Sequence, residues 1–304
     1  MKFSVIIPTY KRPDLLHRIL SSIEKAEKPA NLVEIIVVEN GGRAGAEKVC
    51  AQFKARLPVT YVFAEQAGVG AARNIGASHC VGDILLFFDD DIRLCEGTLT
   101  AYDAAFTRHG DSAFFGGPLT PDYETPPKEW LISFLPPSAR GWSLGPEQVT
   151  IEEPCLLGGN FALPRSVFEN SQGFDAVGPT GSETGGTGNE KRLQIRLMEQ
   201  GLPGLFIPDA LVGNFVPPER CSPRFIRRRR WRRGYGFGEL YANSGEAHKK
   251  LLGAPRWWWA ASLRHLTRYI GSTLTLKPRA ECFHHLLLTV EALGWIKGYH
   301  QRAR

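Results

Sequence analysis

Three consecutive aspartates, Asp89, Asp90 and Asp91, directly follow the apolar run at 84–88. A run of this length is typical of a strand buried on both faces, where unpaired charges would carry a large desolvation cost. The carboxylates are therefore expected at the carboxyl end of the strand, where open α/β sheets bind ligands. If the extended geometry persists, Asp89 and Asp91 point the same way and suit Mg²⁺ or Mn²⁺ carrying a diphosphate. The alternative is a solvated acidic turn.

The segments around this triplet alternate in the manner of an α/β protein. Short β-branched apolar runs that end in turn residues predict strands, and apolar residues at helical spacing predict helices. We predict strands at 2–8, 33–38, 59–63 and 84–88, and helices within 11–27, 44–56 and 68–77. This alternation indicates a Rossmann-like, mostly parallel central sheet flanked by helices. A nicotinamide cofactor is disfavoured, because Gly68 and Gly70 lack the third glycine of that fingerprint.

A series of short motifs follows one order along the chain. They occupy 4–13, 37–42, 68–76, 85–92, 158–165, 173–175, 188–190, 206–210 and 216–220. In this order they resemble the successive signatures of family 2 glycosyltransferases of the GT-A fold, over roughly residues 3–235. The resemblance implies a GT-A domain at 1–216, with a nucleotide-binding half at 1–95 and an acceptor-side half at 96–216. A basic, aromatic-rich helical appendage at 217–304 would follow it.

The chemistry implied by this resemblance is sugar transfer from a nucleotide-sugar, with inversion at the anomeric carbon. The acceptor would be a hydroxyl of a glycan or of a lipid-linked sugar in cell-surface polysaccharide synthesis. The implied cofactor is Mn²⁺ or Mg²⁺, and the expected donor is UDP-linked. Glu39 stands where the family usually has an Asp that reads the uracil N3–H, although a guanine ring also offers N–H donors.

The resemblance also implies roles for individual residues. Backbone at Pro8, Thr9 and Tyr10 would cradle the base, and Arg73 would offer a planar fork to carbonyl and phosphate oxygens. The alternatives are a helix-capping Glu39 and an ordinary surface Arg73. The implied nucleotide-binding set is Pro8, Thr9, Tyr10, Glu39, Arg73, Asp89 and Asp90, and the implied metal set is Asp89 and Asp91.

Inverting transfer also needs a base that removes the proton of the acceptor hydroxyl. In the family this base is the Asp of a Glu-Asp pair that opens a helix, and the corresponding pair here is Asn189-Glu190. Glu190 is therefore the predicted catalytic base, with a side chain one methylene longer than usual. The rival base is Glu183, in the glycine-rich segment at 178–188, which we predict to be a mobile lid.

The predicted metal shell departs from the family pattern. Many relatives carry a histidine just before the motif at 216–220, whereas this chain has Gly213, Asn214 and Phe215 there. Asn214 could offer an amide oxygen, which is a weaker ligand. We therefore predict either a weak metal held by Asp91 with phosphates and waters, or a reaction that depends less on metal.

The C-terminal part of the chain has a different charge from the rest. Residues 217–304 contain 18 Lys and Arg against 5 Asp and Glu, whereas residues 1–216 contain 19 against 26. Arginine and tryptophan on amphipathic helices within 217–270 indicate a segment lying on an anionic membrane surface. The alternative is a helical flap whose aromatic side chains pack over the core.

Composition sets the remaining limits. Because no run reaches 18 apolar residues, we expect neither a signal peptide nor a transmembrane helix. Reduced cysteines and the basic C-terminal part fit a cytoplasmic protein, peripheral at the inner face of the membrane. The six cysteines show no CxxC spacing, which disfavours a zinc site or a disulfide framework. Nucleic-acid binding would suit the basic pI, but no recognition motif supports it. The alternative function is a catalytically impaired GT-A relative that binds a nucleotide-sugar or a partner. The sugar, linkage and oligomeric state have no readable signal.

Overall fold

The computed structural model of the chain describes residues 1–175, 189–242 and 250–302. Its strands are β1 Phe3–Thr9, β2 Leu32–Asn40, β3 Val59–Ala64, β4 Ile84–Phe88, β5 Ile92–Leu94, β6 Phe114–Gly116, β7 Leu119–Tyr123, β8 Val149–Thr150, β9 Asn160–Pro164, β10 Gly204–Phe206, β11 Val212–Val216, β12 Lys250–Leu251 and β13 Ala254–Pro255. Its α-helices are α1 Pro13–Lys25, α2 Ala46–Phe53, α3 Val69–Ser78, α4 Thr98–His109, α5 Glu129–Ile132, α6 Pro137–Arg140, α7 Arg165–Asn170, α8 Asn189–Glu199, α9 Pro223–Ala242, α10 Arg256–Leu274 and α11 Arg279–Arg302. A 3-10 helix spans Pro218–Cys221.

A central sheet organises the described residues of the N-terminal part. Its strand order is β3-β2-β1-β4-β9-β6-β10-β8. The first four strands in this order are parallel, whereas β9 runs antiparallel to both β4 and β6. The prediction of an α/β fold with a mostly parallel central sheet flanked by helices is confirmed, because all four predicted strands belong to this sheet.

The sheet is buried on both faces, which is why its strands read as continuous apolar runs. Val5 and Ile7 of β1 pack into one hydrophobic cluster, whereas Ile6 packs into the cluster on the opposite face. Leu86 and Leu85 of β4 divide in the same way. Alternate side chains of a strand point to opposite faces, so polar groups are left to the strand ends.

The carboxyl ends of the parallel strands meet at one edge of the sheet. Thr9, the last residue of β1, pairs with Glu39 near the end of β2. Phe88 ends β4 beside Asn160, and the aspartate triplet begins at the next residue. The prediction that the first strand stops at Pro8 is wrong by one residue. β1 pairs with β4 up to Ile6–Phe87. Pro8, which has no backbone N–H to donate, lies beyond this pairing and can therefore continue the strand.

A small second sheet continues from the triplet. Its strand order is β5-β11-β7. β5 pairs antiparallel with β11, which sets Asn214 opposite Ile92. The backbone N–H of Phe215 donates to the carbonyl of Asp91 at 2.7 Å. These contacts bring residues 213–215, where the resemblance implies a histidine in many family members, next to the aspartate triplet.

The chain divides into two compact units. The first comprises Met1–Asp122 and the described residues of 136–180 and 187–216. The second comprises Tyr123–Leu135 and the described residues of 217–304. Tyr123–Leu135 thus groups with the C-terminal helices and not with the rest of 96–216, because the ring of Phe283 packs on Trp130 and Phe134 with centroids 5.5 and 5.2 Å away.

The predicted C-terminal helices are present, and two of them pack through glycines. A Cβ at Gly234 or Gly238 of α9 would lie 2.2 or 2.1 Å from a carbonyl oxygen of α11. A Cβ at Gly294 or Gly298 of α11 would lie 2.7 or 2.0 Å from a carbonyl oxygen of α9. Glycine pairs four residues apart allow two helix backbones to approach this closely. Within the described residues, none of the helices has the length and apolar character needed to cross a bilayer.

Candidate active site

A buried arginine connects the donor and acceptor parts of the predicted site. Arg73 lies on α3, and its side chain has no exposed surface. Its Nη1 donates to Oε1 of Glu190 at 2.8 Å, and its Nη2 donates to Oδ1 of Asp89 at 2.7 Å. Nη2 also donates to the carbonyl of Gly158 at 3.0 Å. The fold therefore brings together three of the residues named by the resemblance.

The charge of Arg73 is stabilised by the two carboxylates. Burial opposes the charged form, but Asp89 and Glu190 outweigh it, and the net shift of the Arg73 pKa is upward. Arginine suits such a site because its planar fork can serve several oxygens at fixed angles. Since the guanidinium is buried beneath the two carboxylates, its observed role is to position them. The direct contact with a nucleotide implied by the resemblance stays a prediction.

Two glycines provide the space that Asp89 and Glu190 occupy. A Cβ at Gly158 would lie 2.0 Å from Cγ of Glu190, and a Cβ at Gly159 would lie 2.8 Å from Oδ2 of Asp89. The next residue, Asn160, is fully buried and fastens this segment. Its Nδ2 donates to the carbonyl of Ala210 at 2.7 Å, and its Oδ1 accepts from the hydroxyl of Tyr102 at 2.8 Å. Gly158, Gly159 and Asn160 lie within the motif at 158–165, but no role was predicted for them.

The middle and last aspartates face a second arginine. Thr9 donates its hydroxyl to Oδ2 of Asp90 at 2.7 Å. Arg12 forms ion pairs with Asp90 at 2.8 Å and with Asp91 at 3.4 Å. Arg12 lies within the first motif, but no role was predicted for it.

The expectation that Asp89 and Asp91 share one strand direction is wrong. The N–H of Ile92 donates to the carbonyl of Asp89 at 3.1 Å, so the chain turns at the triplet and strand alternation does not persist. Asp89 consequently pairs with Arg73, whereas Asp91 pairs with Arg12. The two carboxylates belong to one short turn but have different counter-ions.

The carboxylate oxygens available here suit a metal cation whose remaining ligands come from a bound diphosphate or from water. Asp89 and Asp91 are hard oxygen ligands, and the side chain of Asp89 is 36% exposed. The described residues contain no group of three or more His, Cys, Asp or Glu that could hold a metal by itself. Nδ2 of Asn214 donates to the carbonyl of Ser138 at 2.8 Å. Two carboxylates fit a cation that arrives with a diphosphate.

Asp90 gives the fold a pH dependence that can be tested. Burial raises the pKa of Asp90 to about 7, against the opposing effects of Arg12 and the Thr9 hydroxyl. The folded state then keeps a proton that the unfolded chain releases above about pH 4, so this contribution to stability is lost as pH rises towards 7. Each pKa unit of difference corresponds to about 1.4 kcal/mol.

We expect Asp90→Asn to unfold with a free energy that changes less between about pH 4 and pH 7 than that of the wild type. Urea unfolding at several pH values in this range measures the difference. Asp14→Asn, on the exposed first turn of α1, is the control and should follow the wild type. Parallel pH profiles for Asp90→Asn and the wild type would contradict the assignment.

Glu39 is buried and organises the loop after β2. Its Oε1 accepts from the N–H of Ala44 at 2.6 Å and of Ala46 at 3.4 Å, and its Oε2 accepts from the hydroxyl of Tyr61 at 2.7 Å. Burial and this hydrogen bond raise the pKa of Tyr61 to about 12. Both carboxylate oxygens thus have protein partners, Oε1 at the start of α2 and Oε2 on β3, and reading of the uracil N3–H by Glu39 stays a prediction.

Asn40 links two of the segments predicted to cradle the nucleotide. Its Nδ2 donates to the carbonyl of Thr9 at 2.9 Å, and its Oδ1 accepts from the N–H of Gly68 at 3.0 Å. Pro8 is buried, whereas Tyr10 is exposed. Asn40 therefore joins the end of β1 to the start of α3. Only its place in the second motif could have indicated this role.

Glu190 lies in the first turn of α8 with its side chain 22% exposed. An acidic residue there interacts favourably with the positive end of the helix dipole. Asn189, just before it, accepts from Nη2 of Arg192 at 2.7 Å. The rival base Glu183 and the predicted lid at 178–188 lie outside the described residues.

Comparison with known proteins supports the family suggested by the motifs. Residues 4–171 match the model of glycosyl transferase family 2. The succinoglycan biosynthesis protein ExoM of Rhizobium meliloti is 26% identical over 252 residues, which cover 77% of this chain and 73% of ExoM. The poly(ribitol-phosphate) beta-N-acetylglucosaminyltransferase TarS of Staphylococcus aureus is 29% identical over 111 residues, which cover 36% of this chain and 19% of TarS.

Solved structures share the fold at low sequence identity. The mannosyltransferase PcManGT of Pyrobaculum calidifontis, in complex with GDP-Man and Mn²⁺, has a TM-score of 0.60 at 18% identity, over 97% of this chain and 87% of that chain. Residues 1–349 of TarS in complex with UDP have a TM-score of 0.53 at 15% identity, over 100% and 92%. These likenesses confirm the predicted GT-A fold. Because the family model matches more than half of the chain, including Arg73 and the aspartate triplet, this protein belongs to glycosyl transferase family 2.

Proposed function

We propose that this protein is an inverting glycosyltransferase that moves a sugar from a nucleotide-sugar to an acceptor hydroxyl. The observation that carries the proposal is the buried Arg73, which holds Asp89 and Glu190 at one edge of the sheet. Asp89 belongs to the strand end where α/β sheets bind nucleotides. Glu190 belongs to a different element, α8, and is partly exposed. The guanidinium of Arg73 therefore aligns the donor-side carboxylate of Asp89 with Glu190, the carboxylate that can act as base.

In the proposed reaction the acceptor oxygen attacks the anomeric carbon while the bond from that carbon to the diphosphate oxygen breaks. Glu190 takes the proton of the attacking hydroxyl. Arg73 holds its Oε1, so we assign the proton to Oε2. Fixing the carboxylate in this way reduces the cost of orienting the base. A positioned base of this kind contributes about 10²–10⁴-fold to the rate.

We propose that Asp89 and Asp91 hold a divalent cation, Mn²⁺ or Mg²⁺, that accompanies the donor. When bound, the cation would neutralise charge on the diphosphate leaving group. Arg12, paired with Asp90 and Asp91, limits the negative charge of the turn before donor binds. The complexes of PcManGT with GDP-Man and Mn²⁺ and of TarS with UDP support a nucleotide-sugar donor. We prefer UDP because of Glu39, with Pro8, Thr9 and Tyr10 around the base.

We propose a glycan or lipid-linked sugar as acceptor, in cell-surface polysaccharide synthesis at the inner face of the cell membrane. The names of two relatives support this class, since ExoM is a succinoglycan biosynthesis protein and TarS acts on poly(ribitol-phosphate). The basic C-terminal part suits a site near anionic lipid.

The proposal is tested by the change in melting temperature with UDP, GDP, dTDP and CMP, each with and without Mn²⁺. We expect a selective rise with UDP that increases when Mn²⁺ is added, because ligands that bind only the folded state stabilise it. A selective rise with GDP would overturn the UDP preference. Absence of any response would overturn the transferase proposal in favour of a catalytically impaired relative that binds a partner.

We expect Asp91→Ala to abolish the part of the UDP response that depends on Mn²⁺, with loss of transfer activity. Because Asp91 is buried, the free energy of unfolding should also fall, by about 1–3 kcal/mol. Thermal shift and urea unfolding measure the two effects separately. Asp111→Ala, an exposed carboxylate elsewhere, is the control. A full Mn²⁺ response in Asp91→Ala would contradict its assignment as a ligand.

A further inference from the structure

Helix α10 carries an apolar stripe on its solvent-facing side. Leu263, Leu266, Ile270 and Leu274 are exposed, with Leu263 at 62% and Leu274 at 78%. Their spacing of three, four and four residues sets them on one face of the helix. Leu276, just beyond the helix end, is 91% exposed. We call these five residues the outer stripe of α10.

The outer stripe is not the face by which α10 packs in its own unit. The buried residues of α10 are Trp258, Ala261, Ser262 and Ser272, which fall on the opposite side of the helix. Trp258 packs against Tyr299 of α11, with ring centroids 5.6 Å apart. A surface helix normally turns polar residues to solvent. Within the described residues each member of the outer stripe therefore keeps between 40% and 91% of its surface exposed, and this exposure calls for a partner.

The charges around the outer stripe have one sign. The segment 250–280 contains six Lys and Arg and no Asp or Glu. Arg264 and Arg268, on α10, are exposed, as are Lys277 and Arg279 after it. Trp257 is 45% exposed near the start of the helix. An apolar stripe flanked by cations and an exposed tryptophan is the composition of a helix that lies in the boundary of an anionic bilayer.

The arginine-rich helix α9 is less suited to this contact than the sequence suggests. Arg230 and Arg233 form ion pairs with Glu291 of α11 at 3.0 and 3.2 Å. Part of the arginine run is thus neutralised within its own unit. α9 also has few exposed large apolar side chains, Phe237 being the one found among its described residues.

We propose that the outer stripe of α10 binds the surface of a membrane containing anionic phospholipid. The leucine and isoleucine side chains would enter the boundary between headgroups and acyl chains, and Arg264 and Arg268 would face lipid phosphates. The bilayer is favoured over a second copy of the chain, because two copies of this cationic face would repel one another. The proposal places the contact on one face of α10, which begins within the predicted segment 217–270, and extends it to Leu276 just beyond the helix.

The test is flotation with phosphatidylcholine vesicles, with and without phosphatidylglycerol, in the absence of nucleotide and acceptor. We expect the intact chain to float with the anionic vesicles only, and less so at high salt. Leu263→Glu/Ile270→Glu/Leu274→Glu should lower the bound fraction at least about tenfold. Arg264→Gln/Arg268→Gln should lower it and weaken the salt dependence. Leu144→Glu, an exposed leucine in the other unit, is the matched control and should bind normally.

Several outcomes would overturn the proposal. Unchanged flotation of the triple variant would do so. Loss of binding in Arg227→Gln/Arg228→Gln, with normal binding of Arg264→Gln/Arg268→Gln, would also do so and would assign the contact to α9. A dimer by light scattering that the triple variant converts to monomer would identify a second copy as the occupant. Circular dichroism and melting temperature establish that each variant folds. Because no substrate is present, the result is independent of the proposed transferase activity.

Discussion

Glu190→Gln should lower the rate of sugar transfer by about 10²–10⁴-fold while donor binding stays close to normal. The amide keeps an oxygen that can accept the hydrogen bond from Nη1 of Arg73, so the arrangement around Arg73 is retained. It cannot accept a proton from the acceptor hydroxyl as a carboxylate does. The expected result is a fall in kcat without a comparable change in donor affinity.

Transfer rate with a radiolabelled donor and the melting-temperature response to nucleotide separate these two quantities. Glu199→Gln, at the exposed end of the same helix α8, is the matched control and should transfer normally. Normal turnover in Glu190→Gln would remove the base from this position and direct attention to Glu183. Loss of both turnover and nucleotide binding would indicate that Glu190 mainly maintains the donor site.

Arg73→Met should reduce the free energy of unfolding by about 3 kcal/mol, at the low end for a broken buried ion pair, because Asp89 and Glu190 remain partly exposed. The substitution removes the cation that both carboxylates share and leaves the carbonyl of Gly158 without that donor. Methionine retains much of the side-chain length, so the loss reports mainly on charge and hydrogen bonds. Urea unfolding measures it.

The control and the rescue make the Arg73 result specific. Arg56→Met breaks a pair with Glu24 on the surface and should change stability by no more than about 1 kcal/mol. Adding Asp89→Asn and Glu190→Gln to Arg73→Met should recover part of the lost stability, because the two unpaired charges are then removed. Identical unfolding curves for Arg73→Met and the wild type would show that the guanidinium does not organise the site.

The secondary structure of the nucleotide-binding half was largely predictable because its signals are local. The apolar run before the triplet and the periodicity of α1 and α3 depend only on neighbouring residues. Errors arose at element ends, as at Pro8, which continues β1 because its missing N–H lies beyond the recorded pairing with β4. The grouping of Tyr123–Leu135 with the C-terminal helices was missed because it depends on rings far away in sequence.

The candidate site was predictable as a set of residues but not as a set of contacts. Asp89, Arg73 and Glu190 were selected from motifs. The pairing of Arg73 with Glu190, however, joins positions 117 residues apart in the chain. Arg12 was overlooked because nothing local distinguishes it from other basic residues near a helix start. Reading of the base by Glu39 stays a prediction, but its hydrogen bonds with Tyr61 and the loop at 44–46 could not be predicted from sequence, because they join separate segments.

The α/β class and the strand end where the carboxylates gather could be inferred from periodicity, and the family from the resemblance of the ordered motifs. All three signals are local and need no knowledge of the fold. Three features required the folded chain: which arginine neutralises which aspartate, the burial of Arg73 beneath Asp89 and Glu190, and the exposure of the apolar stripe of α10. Each depends on packing between distant segments, because burial and ion pairing are properties of the assembled surfaces and not of any one segment.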